Sequence, residues 1–182
     1  MPFDARMILF GAAVAFTLSG IAHAAETGRL GIGHPATPAE IAGWDIDVRA
    51  DGQGLPAGHG SVREGEAIYA QACAGCHGAK GEGKPADRLA GGFGTLATAK
   101  PVRTVGSYWP YATTLFDFVR RAMPFDAPQS LTADQVYAVS AYILYLNDIV
   151  PQDTVLDAHS LPKVAMPNRN GFTSPDPRPD VR

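Results

Sequence analysis

Both cysteines of the 182-residue chain lie within one short motif, Cys73-Ala-Gly-Cys76-His77. A C-x-x-C-H motif is the attachment sequence of c-type haem. Two thiols one helical turn apart can each add to a vinyl group on the same porphyrin edge. The adjacent imidazole of His77 is then carried beneath the ring, where one of its nitrogens can bind the iron. Because the chain has no third cysteine, the motif predicts one covalently attached haem c and no disulfide.

Three other uses of a C-x-x-C pair fit this sequence less well. A thioredoxin-like redox dithiol is expected in a βαβ setting, and no such pattern is visible. A disulfide across two intervening residues would close a small, strained loop and add little stability. A zinc site needs four ligands, whereas His34, His59 and His159 lie in predicted loops without ligand spacing. We expect these three histidines to be exposed.

A haem iron bound by histidine has a second axial position, which is filled by Met or His in electron carriers and left open for catalysis. After the N-terminal segment the chain has two methionines, Met123 and Met166, and both precede proline. Met123 is the predicted ligand, because it ends an amphipathic helix and Pro124 holds it without a competing backbone N–H. Met166 lies in a proline-rich stretch that would position it poorly. The alternative role of Met123 is core filling, the usual role of methionine.

Two groups of residues near Met123 in the sequence, one aromatic and one basic, each allow two interpretations. The aromatic run at residues 108–111, Tyr-Trp-Pro-Tyr, either builds the core or lies at the haem edge. Arg120 and Arg121 either pair with haem propionates or are solvated charges that suit the C-terminal end of a helix. The pattern alone does not separate these possibilities.

The N-terminus has the pattern of a secretory signal. Residues 7–18 are an apolar run too short to span a bilayer, and Ala22-His23-Ala24 fits an A-x-A cleavage site. We therefore expect residues 1–24 to be a signal peptide and the mature protein to be periplasmic, with no membrane segment. An uncleaved membrane anchor is the alternative, because Arg6 is the only basic residue before the apolar run.

Capping signals and apolar periodicity predict one helical domain, residues 61–150. Two of its helices begin with capping boxes, Ser61 with Glu64 and Thr132 with Gln135. A glycine-rich loop follows the cysteine motif. The predicted helices span residues 61–72, 114–122 and 132–147.

Two irregular segments flank the predicted domain. Residues 25–60 carry one short helix, signalled by Thr37 as N-cap and Glu40 three residues later. Residues 151–182 contain six prolines and no sustained pattern, so we expect this tail to be disordered or laid over another surface.

The formal charge of −3 argues against a nucleic-acid-binding protein. The charge is unevenly placed, since residues 79–123 hold seven basic and three acidic groups. Such asymmetry can orient a docking partner, or it can be an ordinary solvated surface.

Two long segments resemble the cytochrome subunit of the sulfane dehydrogenase of the Sox thiosulfate-oxidising system. They are residues 106–125, which include Gly-Ser-Tyr-Trp-Pro-Tyr-Ala and Arg-Arg-Ala-Met-Pro-Phe, and residues 129–147. Residues 38–49 and Met-Pro-Asn at 166–168 also look like that family. The resemblance implies an all-α, class I cytochrome c fold with long irregular N- and C-terminal extensions.

The resemblance further implies a periplasmic partner, a dehydrogenase subunit that carries a molybdenum cofactor. That subunit would oxidise sulfane sulfur, or sulfite in related enzymes, and pass electrons one at a time to the haem. By the family pattern Cys73 and Cys76 attach the haem, His77 is the proximal ligand and Met123 is the distal ligand. The tail, residues 151–182, would wrap around the partner.

Longer members of that family carry a second cytochrome domain and a second haem, whereas this chain has one C-x-x-C-H motif. We therefore expect a single-haem form that passes its electrons to a separate, soluble cytochrome c and does no bond chemistry itself. One alternative is a free-standing periplasmic electron shuttle without a permanent partner. Another is an enzyme in its own right, a thiosulfate dehydrogenase or a peroxidase, with an open sixth position.

Overall fold

A computed structural model of the chain describes residues 32–173. The predicted signal peptide, residues 1–24, and the last nine residues of the predicted tail lie outside this range. Within this range the chain divides into two units, which meet between Ile41 and Ala42 in sequence. No helix within the described range is long and apolar enough to cross a membrane.

Residues 32–173 form five α-helices and one two-stranded ribbon. The elements in chain order are α1 (Pro38–Trp44), β1 (His59–Ser61), α2 (Val62–Ala72), α3 (Ala74–His77), α4 (Ala112–Ala122), α5 (Ala133–Leu146) and β2 (Val155–Asp157), followed by a 3₁₀ turn (Leu161–Lys163). This helical architecture confirms the predicted all-α, class I cytochrome c fold. The ribbon was not predicted.

The three predicted capping boxes are present. In each, the hydroxyl of the cap accepts a bond from the backbone three residues later, and the Glu or Gln at that position accepts one from the backbone of the cap. The pairs are Thr37 with Glu40, Ser61 with Glu64 and Thr132 with Gln135. Helix α4 begins two residues earlier than predicted, because its N-cap, Tyr111, makes no side-chain capping bond and leaves no signal in the sequence.

The core is built on the crossing of α2 and α5. A Cβ atom at Gly65 would lie 1.9 Å from the carbonyl oxygen of Ala138, so only glycine allows the two backbones to approach this closely. One turn further along α2, the ring of Tyr69 lies 5.2 Å from that of Tyr142. Helix α5 is buried on nearly all sides over residues 136–144, and not only along the single stripe that its periodicity indicated.

The predicted tail contributes to this same core. Strand β2 pairs antiparallel with β1, placing Leu156 opposite Gly60. Leu156, Leu161 and Met166 are buried in the core cluster. The prediction that the tail is disordered or lies on another surface is therefore wrong for this stretch. The three apolar residues recur every five positions, which matches neither the helical nor the strand period, so the pattern gave no signal.

The two faces of β2 provide a test of this packing. Leu156 is 2% exposed and its neighbour Val155 is 53% exposed. We expect Leu156→Ala to lower the free energy of unfolding by about 2–5 kcal/mol, because it opens a cavity in the core. Val155→Ala, the matched control, should cost less than about 1 kcal/mol. Equal losses in denaturant titrations of the two variants would contradict the assignment of residues 155–166 to the core.

Candidate haem site

The cysteine motif lies where α2 ends and the short helix α3 begins. Cys73 is at once the C-terminal cap of α2 and the N-terminal cap of α3. Its carbonyl oxygen accepts bonds from the backbone N–H groups of Cys76, at 3.1 Å, and His77, at 3.0 Å. These bonds put all three predicted residues on one helical turn. The two cysteines are not joined by a disulfide; Cys73 is half-buried and Cys76 is exposed.

Cys73 packs against the edge of the hydrophobic core. Burial raises the pKa of its thiol to about 11, and the neighbouring Cys76 thiol adds a smaller increase. This environment is unlike that of a reactive thiolate, since reactive cysteines lie in electropositive surroundings that lower their pKa.

The imidazole of His77 is oriented by a backbone group. Its Nδ1 lies 2.7 Å from the carbonyl oxygen of Asp87. A carbonyl oxygen can only accept a hydrogen bond, so Nδ1 carries the proton and the lone pair lies on Nε2. This is the tautomer that a metal-binding histidine needs, with its second nitrogen held by a backbone carbonyl. The donor set of the motif thus fits a haem iron.

The loop after the motif is tied back to it by hydrogen bonds. The backbone N–H of Gly83 donates to the carbonyl of His77 at 2.7 Å, and that of Ala86 donates to the carbonyl of Cys76 at 3.0 Å. The hydroxyl of Tyr69 donates to the carbonyl of Gly78 at 2.9 Å, and burial is the main cause that raises the pKa of Tyr69 to about 12. The backbone of the motif at His77 is therefore held from both sides.

Met123, the other predicted ligand, follows directly after the last residue of α4. Its backbone N–H donates to the carbonyl of Val119 at 3.1 Å, and its side chain is half-buried against the edge of the core cluster that Cys73 also contacts. Met166 is only 3% exposed and belongs to the core itself. The structure thus gives the two methionines different environments, and Met123 has the more accessible thioether.

Helix α4 is held by an extended segment, residues 46–50, which we call the strap. Three side chains of the helix bind the strap's backbone. The bonds are Asp117 Oδ1 to the N–H of Val48 at 2.8 Å, Thr113 Oγ1 to the carbonyl of Ala50 at 3.1 Å and Arg120 Nη1 to the carbonyl of Ile46 at 3.1 Å. Positions 113, 117 and 120 share one helix face. This contact was not predicted, because each of its bonds joins residues more than 60 positions apart in sequence.

The two arginines near Met123 have partners within the protein. Arg121 forms an ion pair with Asp117 one turn earlier, with Nε 3.0 Å from Oδ1. Arg120 binds the strap. Neither is simply a solvated charge at the helix end, and the carboxylate of Asp117 is the group that links the two contacts.

The aromatic run at residues 108–111 is largely a surface for the tail. The ring of Tyr108 lies 5.2 Å from that of Phe172, and the guanidinium of Arg169 lies over the ring of Tyr111 at 4.5 Å. Trp109 instead packs edge-to-face on Phe118 of α4, with ring centroids 5.8 Å apart. Most of the aromatic side chains of this run therefore pack against other residues of the same chain.

The glycine-rich loop is fixed by Asn147, which the sequence indicated only as the end of α5. Its amide nitrogen donates to the carbonyl of Leu89 at 3.1 Å, and its Oδ1 accepts from the N–H of Gly91 at 3.0 Å. A Cβ atom on Gly106 would lie 2.2 Å from the same Oδ1. His34, His59 and His159 are exposed, as predicted.

A C-x-x-C-H turn at the end of the first core helix, packed against the last core helix, defines a c-type cytochrome. The family model described as cytochrome c matches residues 62–147. A chain in the crystal structure of the sulfane dehydrogenase SoxCD from Paracoccus pantotrophus is 47% identical, with a TM-score of 0.76. The match covers 82% of this chain and 74% of that one. No curated protein matches.

The chain belongs to the cytochrome c family, and its similarity to a SoxCD chain agrees with the resemblance found in the sequence. Cytochromes c carry haem c attached covalently through their C-x-x-C-H motif, and they transfer electrons. The cofactor and the electron-transfer class of this chain follow from that membership.

The strap generates a prediction about stability. Asp117 is only 8% exposed, and its two oxygens serve the strap and Arg121. We expect Asp117→Asn to lower the free energy of unfolding by about 1–3 kcal/mol, because an amide cannot accept at both positions and no longer pairs with a guanidinium. Asp153→Asn, at an exposed position, is the control and should change stability by less than about 0.5 kcal/mol. Two indistinguishable urea transitions would show that the strap contributes nothing.

Proposed function

We propose that this chain is the haem subunit of a molybdenum-dependent sulfane or sulfite dehydrogenase that serves thiosulfate oxidation in the periplasm. The observation that carries the proposal is the 47% identity to a chain of a sulfane dehydrogenase over 82% of this sequence. That share is about 149 of the 182 residues, whereas the general cytochrome c model matches 86 residues. The likeness therefore includes parts of the chain outside the common haem-binding domain.

In this proposal Cys73 and Cys76 attach the haem through thioether bonds, and Nε2 of His77 is the proximal ligand. When bound, the haem supplies a one-electron redox couple at its iron. The carbonyl of Asp87 holds the imidazole in the ligating tautomer. Tyr69 and the α2–α5 packing fix the motif against the core, which limits rearrangement between the two oxidation states.

Met123 is the proposed distal ligand. Its side chain is half-buried at the edge of the core. Met123 directly follows helix α4, and the strap holds that helix in place. Met166, the alternative, fills the core. With two axial ligands from the protein, the iron has no open position, so the chain carries electrons and leaves sulfur chemistry to its partner.

The methionine assignment is testable by spectroscopy. We expect Met123→Ala to remove the methionine-to-iron charge-transfer band of the ferric protein, to lower its reduction potential and to let the ferrous protein bind carbon monoxide. Met166→Leu is the matched control, because a volume-conserving change in the core costs less than about 1.5 kcal/mol and leaves ligation intact. An unchanged spectrum and potential in Met123→Ala would refute the assignment.

The remaining parts of the proposal concern export and partners. We place residues 1–24 as a cleaved signal peptide, residues 25–60 as an N-terminal extension, residues 61–150 as the cytochrome domain and residues 151–182 as a C-terminal extension. Electrons would enter from the molybdenum subunit and leave to a soluble cytochrome c. The apolar run and A-x-A pattern of the N-terminus support export.

A free-standing electron shuttle is the second candidate, and one observation favours it. Residues 155–166 pack on the chain's own core, so this part of the tail does not need a partner to cover it. The shuttle and subunit proposals differ in whether the purified protein holds molybdenum.

The deciding experiment is elemental analysis of the protein purified gently from its own periplasm. We expect near-equal amounts of molybdenum and haem iron in the chromatographic peak that contains this chain. Iron without molybdenum would reject the subunit proposal and support the shuttle. The recombinant chain, purified alone, is the control for adventitious molybdenum.

A further inference from the structure

The segment before the strap presents apolar side chains to solvent. We call residues 32–45 the arm. Every residue of the arm is exposed. Ile41 is 52% exposed and Trp44 is 88% exposed, and they lie three residues apart on α1, which places them on the same helix face.

Helix α1 is formed by local bonds alone. The backbone N–H of Thr37 donates to Oε2 of Glu40 at 2.8 Å, and the N–H of Glu40 donates back to the Thr37 hydroxyl at 3.3 Å. The helix has seven residues, none of them buried, whereas isolated helices shorter than about 12–15 residues are marginal in water. The capping box thus favours a helical conformation that would gain its stability by burying Ile41 and Trp44 against another surface.

The C-terminal end of the arm is anchored by the strap that follows it. Asp45 is followed directly by the strap, whose first residue, Ile46, accepts a bond from Arg120, and whose Val48 is bound by Asp117. Both bonds come from α4, the helix that ends next to Met123. A molecule that binds the base of the arm would therefore lie near the helix that delivers the proposed distal ligand.

The likeness to the SoxCD chain reaches into this part of the sequence. The matched share, 82% of 182 residues, is about 149 residues. Residues 46–182 number only 137, so at least about 12 matched residues precede the strap. A cytochrome c domain alone does not require these residues, since the family model begins at residue 62.

The arm is also acidic. It contains Glu40 and Asp45, the strap adds Asp47, and no lysine or arginine occurs over residues 32–48. An apolar helix face with acidic neighbours is complementary to an apolar groove with a basic rim.

We propose that the arm docks this chain to the molybdenum subunit, with α1 inserting Ile41 and Trp44 into an apolar groove that basic residues border. The inference rests on the proposed function, and it assigns the permanent contact to the N-terminal side of the domain. Tryptophan is enriched among the residues that dominate binding energy at protein interfaces, which makes Trp44 the anchor.

The test compares full-length, haem-loaded variants in binding to the molybdenum subunit purified from the same organism. We expect the double variant Ile41→Ala/Trp44→Ala to bind at least about ten-fold more weakly than the native chain, with an unchanged haem spectrum and reduction potential. Phe93→Ala is the matched control, because it removes an aromatic side chain that is 76% exposed outside the arm. It should bind as the native chain does.

The charge complementarity has its own variant. We expect Asp45→Lys to slow association several-fold and to reduce the dependence of the rate on salt, because it opposes the basic rim. Association that is unchanged or faster would reject the basic rim and, with it, the proposed groove.

Three other outcomes of the binding test would contradict the proposal. Native-like binding by the double variant would overturn the docking arm and leave the subunit proposal standing. Failure of the native chain to bind the molybdenum subunit would overturn the proposed function and the arm together. A dimer of the isolated chain that the double variant dissolves would assign the arm to a second copy and reject the proposal.

Discussion

The close approach of α2 and α5 is the contact on which the rest of the structure depends. Gly65 lets the backbone of α2 touch that of α5 at Ala138, and the aromatic pair of Tyr69 and Tyr142 continues the contact towards the cysteine motif. Because Tyr69 also binds the carbonyl of Gly78, directly after His77, the backbone of the motif is tied to the crossing of the two helices. The chemistry of the site is thus a consequence of helix packing.

Local sequence signals predicted the helices well, but they did not predict the long-range contacts. The capping boxes at Ser61 and Thr132 gave two helix starts, because a cap is a bond between residues three apart. The C-x-x-C-H motif gave the haem turn for the same reason. The bond from Asp117 to Val48 joins residues 69 apart in sequence, and no local pattern specifies such a partner. The role of Asn147 in holding the glycine-rich loop was not predicted for the same reason, because its partner Leu89 is distant in sequence.

Helix α4 contacts the core and the strap, and it leads into the proposed haem ligand. Its inner face completes the core, its polar stripe holds the strap, and its last turn leads into Met123. A helix restrained on two faces keeps its C-terminal end still, which suits a ligand that must stay in place while the charge on a metal changes. The ion pair between Asp117 and Arg121 neutralises the carboxylate at the centre of this arrangement.

The ribbon joins two parts of the chain that are far apart in sequence. His59 pairs with Asp157, so this small ladder closes a ring of nearly one hundred residues that contains the haem motif and every helix of the core. Such a contact between distant residues forms more slowly than the local contacts within the helices, because the chain between them must first be closed into a loop. During synthesis the motif also emerges well before the residues that complete the core. A chain that stopped before residue 155 would therefore keep the motif and every helix of the core, but the side of the core that Leu156 and Leu161 cover would be open to solvent.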